Sequence, residues 1–276
     1  LDVTEGTLYL TPLSFNNTAN LNVNGGTLRV TPSTTSEWTN TGTINLNSGR
    51  LNLAGLFSPA VLGTANYNRA AGTSVYVTGT LNNAGNTLDI GSDGLFGVGG
   101  LTGLNGRIKN GTLVSNDGTV FASNGGWLEN ITFGSDITTT GSIHFDNGIV
   151  LADGVTVTKD WSDWRFYGAG DQHIATLGDA TIDQASGGSI YSYVSNQNLF
   201  IDSGITIQGY GSLRSNRTSN NLINNGRIIA NTAGQNFHIG SNFANITNNG
   251  ELDVTEGTLY LTPLSFNNTA NLNVNG

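Results

Sequence analysis

The most constraining feature of this sequence is a long internal repeat. Residues 1–25, LDVTEGTLYLTPLSFNNTANLNVNG, return letter for letter as residues 252–276, which sets a period of 251 residues (252 minus 1). Identity over such a stretch does not arise from compositional bias. Because self-similarity at a fixed period is typical of repeat architectures, we predict that residues 1–251 form one full solenoid repeat. Residues 252–276 are then the start of the next identical repeat, and we expect the array to continue in both directions.

A shorter recurrence runs inside this repeat. Units such as LDVTEGTLYL at 1–10, LNVNGGTLRV at 21–30 and INLNSGRLNL at 44–53 each read as strand, glycine turn and strand. About eleven such units, of roughly 23 residues each, fill one repeat. Helical periodicity is hard to find. The pattern therefore predicts an all-β, single-stranded parallel β-helix (β-solenoid) with about eleven coils per 251-residue repeat, right-handed as parallel crossovers usually are.

Alternation along each unit predicts which side chains form the core. In LDVTEGTLYL, Leu1 and Val3 share one face while Asp2 and Thr4 share the other, as in a half-buried strand. The same reading of the first three units gives the expected inward-facing set: Leu1, Val3, Leu8, Leu10, Leu21, Val23, Leu28, Val30, Ile44, Leu46, Leu51 and Leu53. Asn and Thr that recur at matching positions are expected to stack as hydrogen-bonded ladders from coil to coil.

Composition narrows the classes of function. A net charge of −9 argues against nucleic acid, which requires clustered Lys and Arg. The absence of Cys excludes disulfides and thiol chemistry, and the joint absence of Cys and Met suits a large exported protein. No apolar run approaches the ~20 residues of a membrane-spanning helix, so we predict no membrane span in this segment.

The units NNGELDVTEGTLYL, GGTLRV, GRLNL and NNLINNGRIIANTAG resemble the Gly/Asn-rich repeats of giant bacterial surface proteins. Similar repeats occur in filamentous-haemagglutinin-like adhesins and in autotransporter passenger domains. The resemblance covers essentially the whole chain and implies a right-handed β-helix at the cell surface or outside the cell, with a structural or adhesive role. The implied partners are neighbouring identical repeats of the same chain and lateral copies in a fibre. It supplies no catalytic residues.

The densest polar and aromatic cluster is KDWSDWRFYGAGDQH at 159–173. Aromatic faces stack on sugar rings and paired carboxylates perform acid–base chemistry, so the cluster is a candidate polysaccharide site. The candidate contact residues are Trp161, Trp164, Tyr167, Asp160 and Asp163. The alternative, which we favour, is that the aromatic residues cap a wide coil and the aspartates form turns.

Other site chemistry is weakly supported, and we predict no metal, no cofactor and no enzyme activity. Asp-Gly turns offer oxygen ligands to calcium, but the GGxGxD nonapeptide of calcium β-rolls is absent. These turns contain Asp89, Asp93, Asp117, Asp153 and Asp202. The histidines, His144, His173 and His238, lack metal-ligand spacing. Neither a G-x-S-x-G elbow nor a phosphate loop occurs.

Three functions remain open at this point. The repeat identity favours a structural or adhesive array, because a spacer gains from copy number. A carbohydrate-binding module would gain avidity from repetition. A lyase-like or glycosidase-like β-helix is the third, although enzymes are seldom reiterated end to end with near-identity.

Overall fold

A computed structural model describes residues 1–33, 35–63 and 66–275. The chain is all-β, with parallel stacked strands that form a β-solenoid of about 12 turns. Its one helical element in these residues is a short 3-10 helix at Pro59–Leu62. The predicted fold class is therefore confirmed, and about twelve turns agree with eleven coils per repeat plus the start of another.

The chain divides into two compact units, Leu1–Trp127 and Leu128–Gly276. The strands before the division are β1 (Asp2–Val3), β2 (Thr7–Leu10), β3 (Asn16–Asn17), β4 (Asn20–Val30), β5 (Thr39–Asn40), β6 (Thr43–Leu53), β7 (Leu56–Phe57), β8 (Tyr67–Arg69), β9 (Ser74–Val77), β10 (Thr80–Asn82), β11 (Thr87–Asp89), β12 (Gly103–Leu104), β13 (Arg107–Lys109) and β14 (Thr112–Val114). Strand β15 (Phe121–Glu129) includes the point of division.

The strands of the second unit are β16 (Thr132–Phe133), β17 (Ile137–Asp146), β18 (Ile149–Leu151), β19 (Thr156–Phe166), β20 (Asp171–Thr176), β21 (Ala180–Gln184), β22 (Ser189–Ser192), β23 (Asn198–Ile201), β24 (Ile205–Gly209), β25 (Gly211–Ser215), β26 (Asn221–Asn224), β27 (Arg227–Ile239), β28 (Asn245–Asn248), β29 (Glu251–Leu261), β30 (Ser265–Asn268) and β31 (Leu272–Val274).

Parallel pairing between successive turns fixes the register in each unit. In the first, β1 and β2 both pair with β4, which pairs with β6. In the second, the first half of β19 pairs with β21 and its second half with β22. A separate sheet there runs through β16, β18, β20, β23, β26, β28 and β30. Side chains that are distant in sequence therefore form rows along each face.

Alternation places the apolar residues in the interior. Most of the predicted inward-facing set is buried: Val3, Leu21, Val23, Leu28, Val30, Ile44, Leu46, Leu51 and Leu53. Leu1 differs, because 56% of its surface is exposed. Leu8 and Leu10 are only half-buried, although they stand in register with Leu28 and Val30. Each of these residues has a neighbouring turn on one side only.

Asparagine ladders connect the turns, as the sequence predicts. Asn22 donates to the Asp2 carboxylate at 2.6 Å, Asn45 donates to Asn22 at 2.8 Å, and Asn68 donates to Asn45 at 2.8 Å. A similar row in the second unit joins the amides of Asn198, Asn221 and Asn245. These ladders satisfy side chains that would otherwise compete with the backbone, and they hold the register between turns.

A glycine with positive φ marks the bend in many of the long strands. Gly26, with φ of +60°, lies in the middle of β4, where a side-chain Cβ would come within 2.4 Å of the Gly6 carbonyl oxygen. Only glycine avoids both the backbone strain and this contact. The bend therefore depends on glycine at a point where consecutive turns lie too close together for a side chain.

Candidate functional site

Strand β19 places the predicted polysaccharide residues on different sides of the wall. It pairs with β17 through a register shift, in which Thr140 is opposite Asp160 and Gly141 is opposite Ser162. Trp161 is the extra residue of this bulge, with φ of +48° and 73% of its surface exposed. A bulky residue in this conformation costs roughly 1–3 kcal/mol, and such strain concentrates at functional positions.

After the bulge, the even-numbered residues of β19 point into the core, whereas before it the odd-numbered residues do. Trp164 is fully buried in the core, where its ring lies 5.0 Å from that of Phe145. It cannot contact a ligand at the surface, so its assignment as a sugar contact is wrong. The extra residue at Trp161 shifts the alternation by one, which turns Trp164 inward.

The other candidates remain at least partly exposed, and Asp160 and Asp163 lie on either side of the bulge at Trp161. Asp160 is exposed. Asp163 accepts a hydrogen bond from the Ser189 N–H at 3.0 Å and lies 3.6 Å from the Arg165 guanidinium. Its carboxylate therefore anchors the next turn from within strand β19, so Asp163 does not form a turn as the favoured alternative expected.

Tyr167 belongs to a larger surface that the sequence does not reveal. We call it the outer aromatic row, and it consists of His144, Arg165, Tyr167, Tyr191, Tyr193 and Arg214. Backbone pairing places His144 opposite Arg165, Arg165 opposite Tyr191, and Tyr191 opposite Arg214. The row therefore crosses four successive strands, β17, β19, β22 and β25.

Ring and cation contacts join the row into one surface. The Tyr167 ring lies 4.7 Å from the His144 ring and 4.4 Å from the Tyr193 ring. The Arg214 guanidinium lies 4.8 Å from the Tyr191 ring, at a distance typical of a cation–π contact. Within the described part of the chain, Arg214 forms no ion pair, so its charge faces solvent.

Burial shifts the pKa values of two side chains of the outer aromatic row, His144 and Tyr167. Burial, with a smaller contribution from the nearby Arg165 guanidinium, lowers the pKa of His144, so its imidazole is neutral at pH 7. Burial also raises the pKa of Tyr167, and a hydrogen bond with Tyr193 adds to the shift. The Tyr167 phenol is therefore neutral at physiological pH.

A groove of about 500 Å³ adjoins the row through Arg214. Its wall consists of small and polar residues from consecutive turns: Gly188, Ser189, Gly211, Ser212, Arg214, Asn236, His238, Ser241 and Thr262. Hydroxyl, amide and guanidinium groups beside these half-buried aromatic rings can hydrogen-bond to a polyhydroxylated chain.

The interior of the same strand holds an unexpected charge. Lys159 is fully buried, and its ammonium donates to the Gln184 side-chain oxygen at 3.0 Å. Its Nζ also lies 5.7 Å from the Trp164 ring centroid. Desolvation lowers the pKa of Lys159 to about 7, although the Asp163 charge acts in the opposite direction.

The aspartates beside glycine act as connectors between turns. Asp117 accepts hydrogen bonds from the backbone N–H groups of Ser92 and Thr119, and these hold the pKa of its carboxyl well below the usual value. Asp89 accepts a hydrogen bond from the Asn116 side-chain amide at 2.8 Å. Asp153 accepts one from the backbone N–H of Asp179, in the next turn, at 2.9 Å. These contacts match the turn interpretation of the Asp-Gly pairs.

The histidines each contact different partners and do not meet at one site. His173 binds the Asp202 carboxylate at 2.9 Å, and His238 stacks on Tyr260 at 4.7 Å. Among the residues that the structure describes, no group of three or more His, Asp or Glu side chains is placed to hold a metal ion. In the same residues, no helix is long and apolar enough to cross a membrane.

Comparison with protein-family models, with curated proteins and with solved structures gives no match to this chain. The fold and the contacts described above are therefore the basis for assigning a function.

Proposed function

We propose that this chain is a structural and adhesive β-solenoid repeat of a very large extracellular bacterial surface or filament-forming protein. The observation that carries the proposal is that both copies of the repeated segment pair their first two turns in the same register. Asp2 pairs with Asn22 through a 2.6 Å hydrogen bond, and Asp253 pairs with Asn273 through one of 2.7 Å. The repeated sequence therefore encodes a turn that stacks in one register wherever it occurs.

Stacking of this kind suits a mechanical role. Each turn buries its apolar face only against its neighbours, so stability accumulates with the number of turns. The polar ladders add hydrogen bonds between turns, and a sequence without cysteine has no disulfide to clamp them. We assign no catalytic residue.

A chain with three tandem copies of residues 1–251 tests this function. Negatively stained particles are expected to be thin, straight, unbranched rods whose length grows in proportion to copy number. A string of separate compact particles joined by flexible segments would contradict the proposal.

A second candidate, binding of a polysaccharide, is favoured by the outer aromatic row. The edges and hydroxyl groups of its half-buried tyrosines can contact a sugar chain, and the exposed Arg214 would attract acidic sugars. A protein with tandem copies would present one outer aromatic row per repeat to a long polymer, which would raise the avidity of binding.

The matched test uses two cation–tyrosine pairs of this chain. Tyr191→Ala with Arg214→Gln alters the row, whereas Tyr76→Ala with Arg50→Gln alters a separate pair at 4.5 Å. Affinity electrophoresis in gels with uronate or neutral polysaccharide should show retardation of the parent and the Tyr76 variant, with loss in the Tyr191 variant. Equal migration of all three proteins at every polymer concentration would remove this candidate.

A further inference from the structure

We infer that the exposed indole of Trp161 is a stacking platform for one sugar ring of a polysaccharide, whose following rings lie in the groove beside Arg214. The inference deepens the second candidate function, on which it rests. It adds a binding residue outside the outer aromatic row and gives the direction of the bound chain. Its basis is a strained backbone position that holds an exposed aromatic side chain.

Trp161 adopts a backbone conformation that its side chain opposes. Its φ of +48° lies in the left-handed region, which is unfavourable for a bulky residue. Asparagine tolerates this region, because its short polar side chain can hydrogen-bond locally. Among the described residues, the other non-glycine positions with positive φ are all asparagines: Asn110, Asn130, Asn147, Asn196 and Asn242. Of these positions, only that of Trp161 carries a bulky side chain.

Other long strands of the second unit show which residue a bend of this kind ordinarily takes. Strands β17, β27 and β29 contain Gly141, Gly234 and Gly257, each with positive φ. In β19 a glycine would avoid the strain, and a tryptophan is present instead. Strain of this kind is concentrated at functional positions, so the indole itself is the feature to explain.

Packing within the chain does not account for this tryptophan. Trp161 is 73% exposed, whereas Trp38 and Trp164 are buried in the core. An exposed indole leaves a broad apolar face in water, and the face of a sugar ring stacked on it would cover that surface. The side chain therefore gains from a ligand what it does not gain from the fold.

The groove of about 500 Å³ begins one turn beyond Trp161. Ser162, which follows Trp161, has its carbonyl oxygen 2.5 Å from the position that a Cβ would take at Gly188, on the groove wall. Asp163 accepts a hydrogen bond from the N–H of Ser189, which also lines the wall. The bend that carries Trp161 is therefore in direct contact with the first wall residues of the groove.

The groove wall comes from successive turns, so a linear ligand within it lies along the solenoid axis. Gly188 directly precedes β22, Gly211 belongs to β25, and Asn236 belongs to β27. Successive strands are about 4.8 Å apart, which is close to the length that one β-linked hexose adds to an extended chain. A polysaccharide can therefore present one sugar ring to each turn, beginning with the ring on Trp161.

The polarity of the groove favours a polysaccharide over an apolar partner. Ser189, Ser212 and Asn236 line it with hydroxyl and amide groups, and Arg214 adds a guanidinium. An apolar surface placed over these groups would leave them without hydrogen-bond partners, at a cost in free energy. Sugar hydroxyl groups both donate and accept hydrogen bonds, so they can replace the water that these groups lose.

The first arm of the test is Trp161→Gly, which removes the ring and the backbone strain together. If the tryptophan is present for binding, this variant should unfold at a higher denaturant concentration than the parent while binding polysaccharide more weakly. Leu177→Gly is the matched control, because Leu177 is also 73% exposed but does not have a positive φ. The control should be no more stable than the parent and should bind as the parent does.

The second arm measures binding by affinity electrophoresis in gels that contain polygalacturonate or hydroxyethyl cellulose. In a gel that retards the parent, Trp161→Gly should bind about tenfold more weakly, as expected for the loss of one aromatic contact. Trp161→Tyr keeps a ring at this position and should recover most of the retardation. Leu177→Gly should migrate with the parent.

The third arm locates the polymer by acrylamide quenching of tryptophan fluorescence. Trp38 and Trp164 are buried and Trp127 is half-buried, so Trp161 is the indole most open to the quencher. The polymer that retards the parent should reduce quenching in the parent and should leave quenching in Trp161→Gly unchanged.

Full retardation of Trp161→Gly would overturn the inference, and so would a Trp161→Gly chain less stable than the parent. If that variant is retarded while Tyr191→Ala with Arg214→Gln is not, binding by the outer aromatic row stands and only the role of Trp161 is rejected. A parent that no polymer retards would reject the second candidate function together with the inference. Self-association of such a parent in sedimentation, abolished by Trp161→Gly, would assign the indole to contacts between copies instead.

Discussion

A buried ammonium in the wall of a solenoid must be hydrogen-bonded or neutral. Lys159 has the Gln184 oxygen and the Ser189 carbonyl within 3.0 and 3.4 Å. These acceptors only partly replace water, and desolvation moves the pKa of Lys159 from 10.5 to about 7. Near neutral pH the folded chain therefore holds this lysine at the boundary between its charged and neutral forms.

We predict that this lysine makes the stability of the chain rise with pH. Between about pH 7 and pH 10.5 the unfolded chain binds the proton that folded Lys159 releases, so the free energy of unfolding increases. At about 1.4 kcal/mol per pKa unit the full effect is roughly 5 kcal/mol. Lys159→Met with Gln184→Leu removes the charge and its partner, and should be more stable than the parent at pH 7. Its advantage should shrink towards pH 10 in urea titrations.

A constant difference between the variant and the parent across this pH range would show that Lys159 is not desolvated. Lys109→Met is the control, because Lys109 is the other lysine of the chain and is only half-buried. Its substitution should leave the pH dependence nearly unchanged.

The sequence could not show which side chains of β19 point into the core, because Trp161 interrupts the alternation of inward and outward residues. Simple alternation from Val157 puts Trp161 inward and Trp164 outward, the reverse of what the structure shows. The positive φ that marks the bend falls on glycine in β4 and β17 but on Trp161 in β19. Without a glycine at this position, the sequence carries no signal for the bulge.

At the scale of a strand, the two ends of β28 show how an asparagine ladder depends on burial. Asn248 is fully buried, donates to Asn268 and accepts from Asn224, both at 2.7 Å. Asn245, in the same strand, is exposed and donates to Asn221 at 2.9 Å. Water can replace the partners of the second asparagine but not those of the first.

We therefore predict unequal costs for the same substitution in one strand. Asn248→Ala removes the 2.7 Å acceptor of the buried Asn224 amide, which keeps only a longer hydrogen bond of 3.3 Å to the Glu251 carbonyl, and should lower the free energy of unfolding by about 2–3 kcal/mol. Asn245→Ala should cost less than about 1 kcal/mol. Denaturant titrations of the two variants measure both values, and equal losses would mean that burial does not set the strength of the ladder.

The strands themselves were predictable, whereas the outer aromatic row was not. Val23, Leu28 and Ile44 follow from alternation within single units, and each is buried. The row instead depends on pairing between turns of 21 residues (165 minus 144), 26 (191 minus 165) and 23 (214 minus 191). Because turn length varies, sequence position alone does not align Arg165 with Tyr191 or Arg214. Register, which sets the row, is a property of the stacked backbone.

At the scale of the whole molecule, the relevant feature is the junction where one repeat ends and the next begins. Residues 252–275 continue the stack on β27 and β28, where Ile228 is opposite Leu252 and Ile246 is opposite Phe266. The pairing of β27 with β29 shifts register on both sides of Asn231, as the pairing of β4 with β6 does on both sides of Asn24. A junction of this kind transmits stability between neighbouring repeats, because its interface is made in the same way as those within a repeat.

The last prediction concerns how stability changes with copy number. In a nearest-neighbour stack, each added repeat contributes its own turns and one more interface, so a three-copy chain should unfold at higher denaturant than this chain. Its transition should also be steeper, because more surface becomes exposed in one cooperative step. Leu252→Asp at every junction is the matched control, since it buries a charge between Ile228 and Leu272 while leaving the interior of each repeat unchanged. That variant should return the midpoint and the slope towards the single-repeat values. A three-copy chain with the midpoint and slope of the single repeat would mean that the repeats fold independently, and the structural array would lose its physical basis.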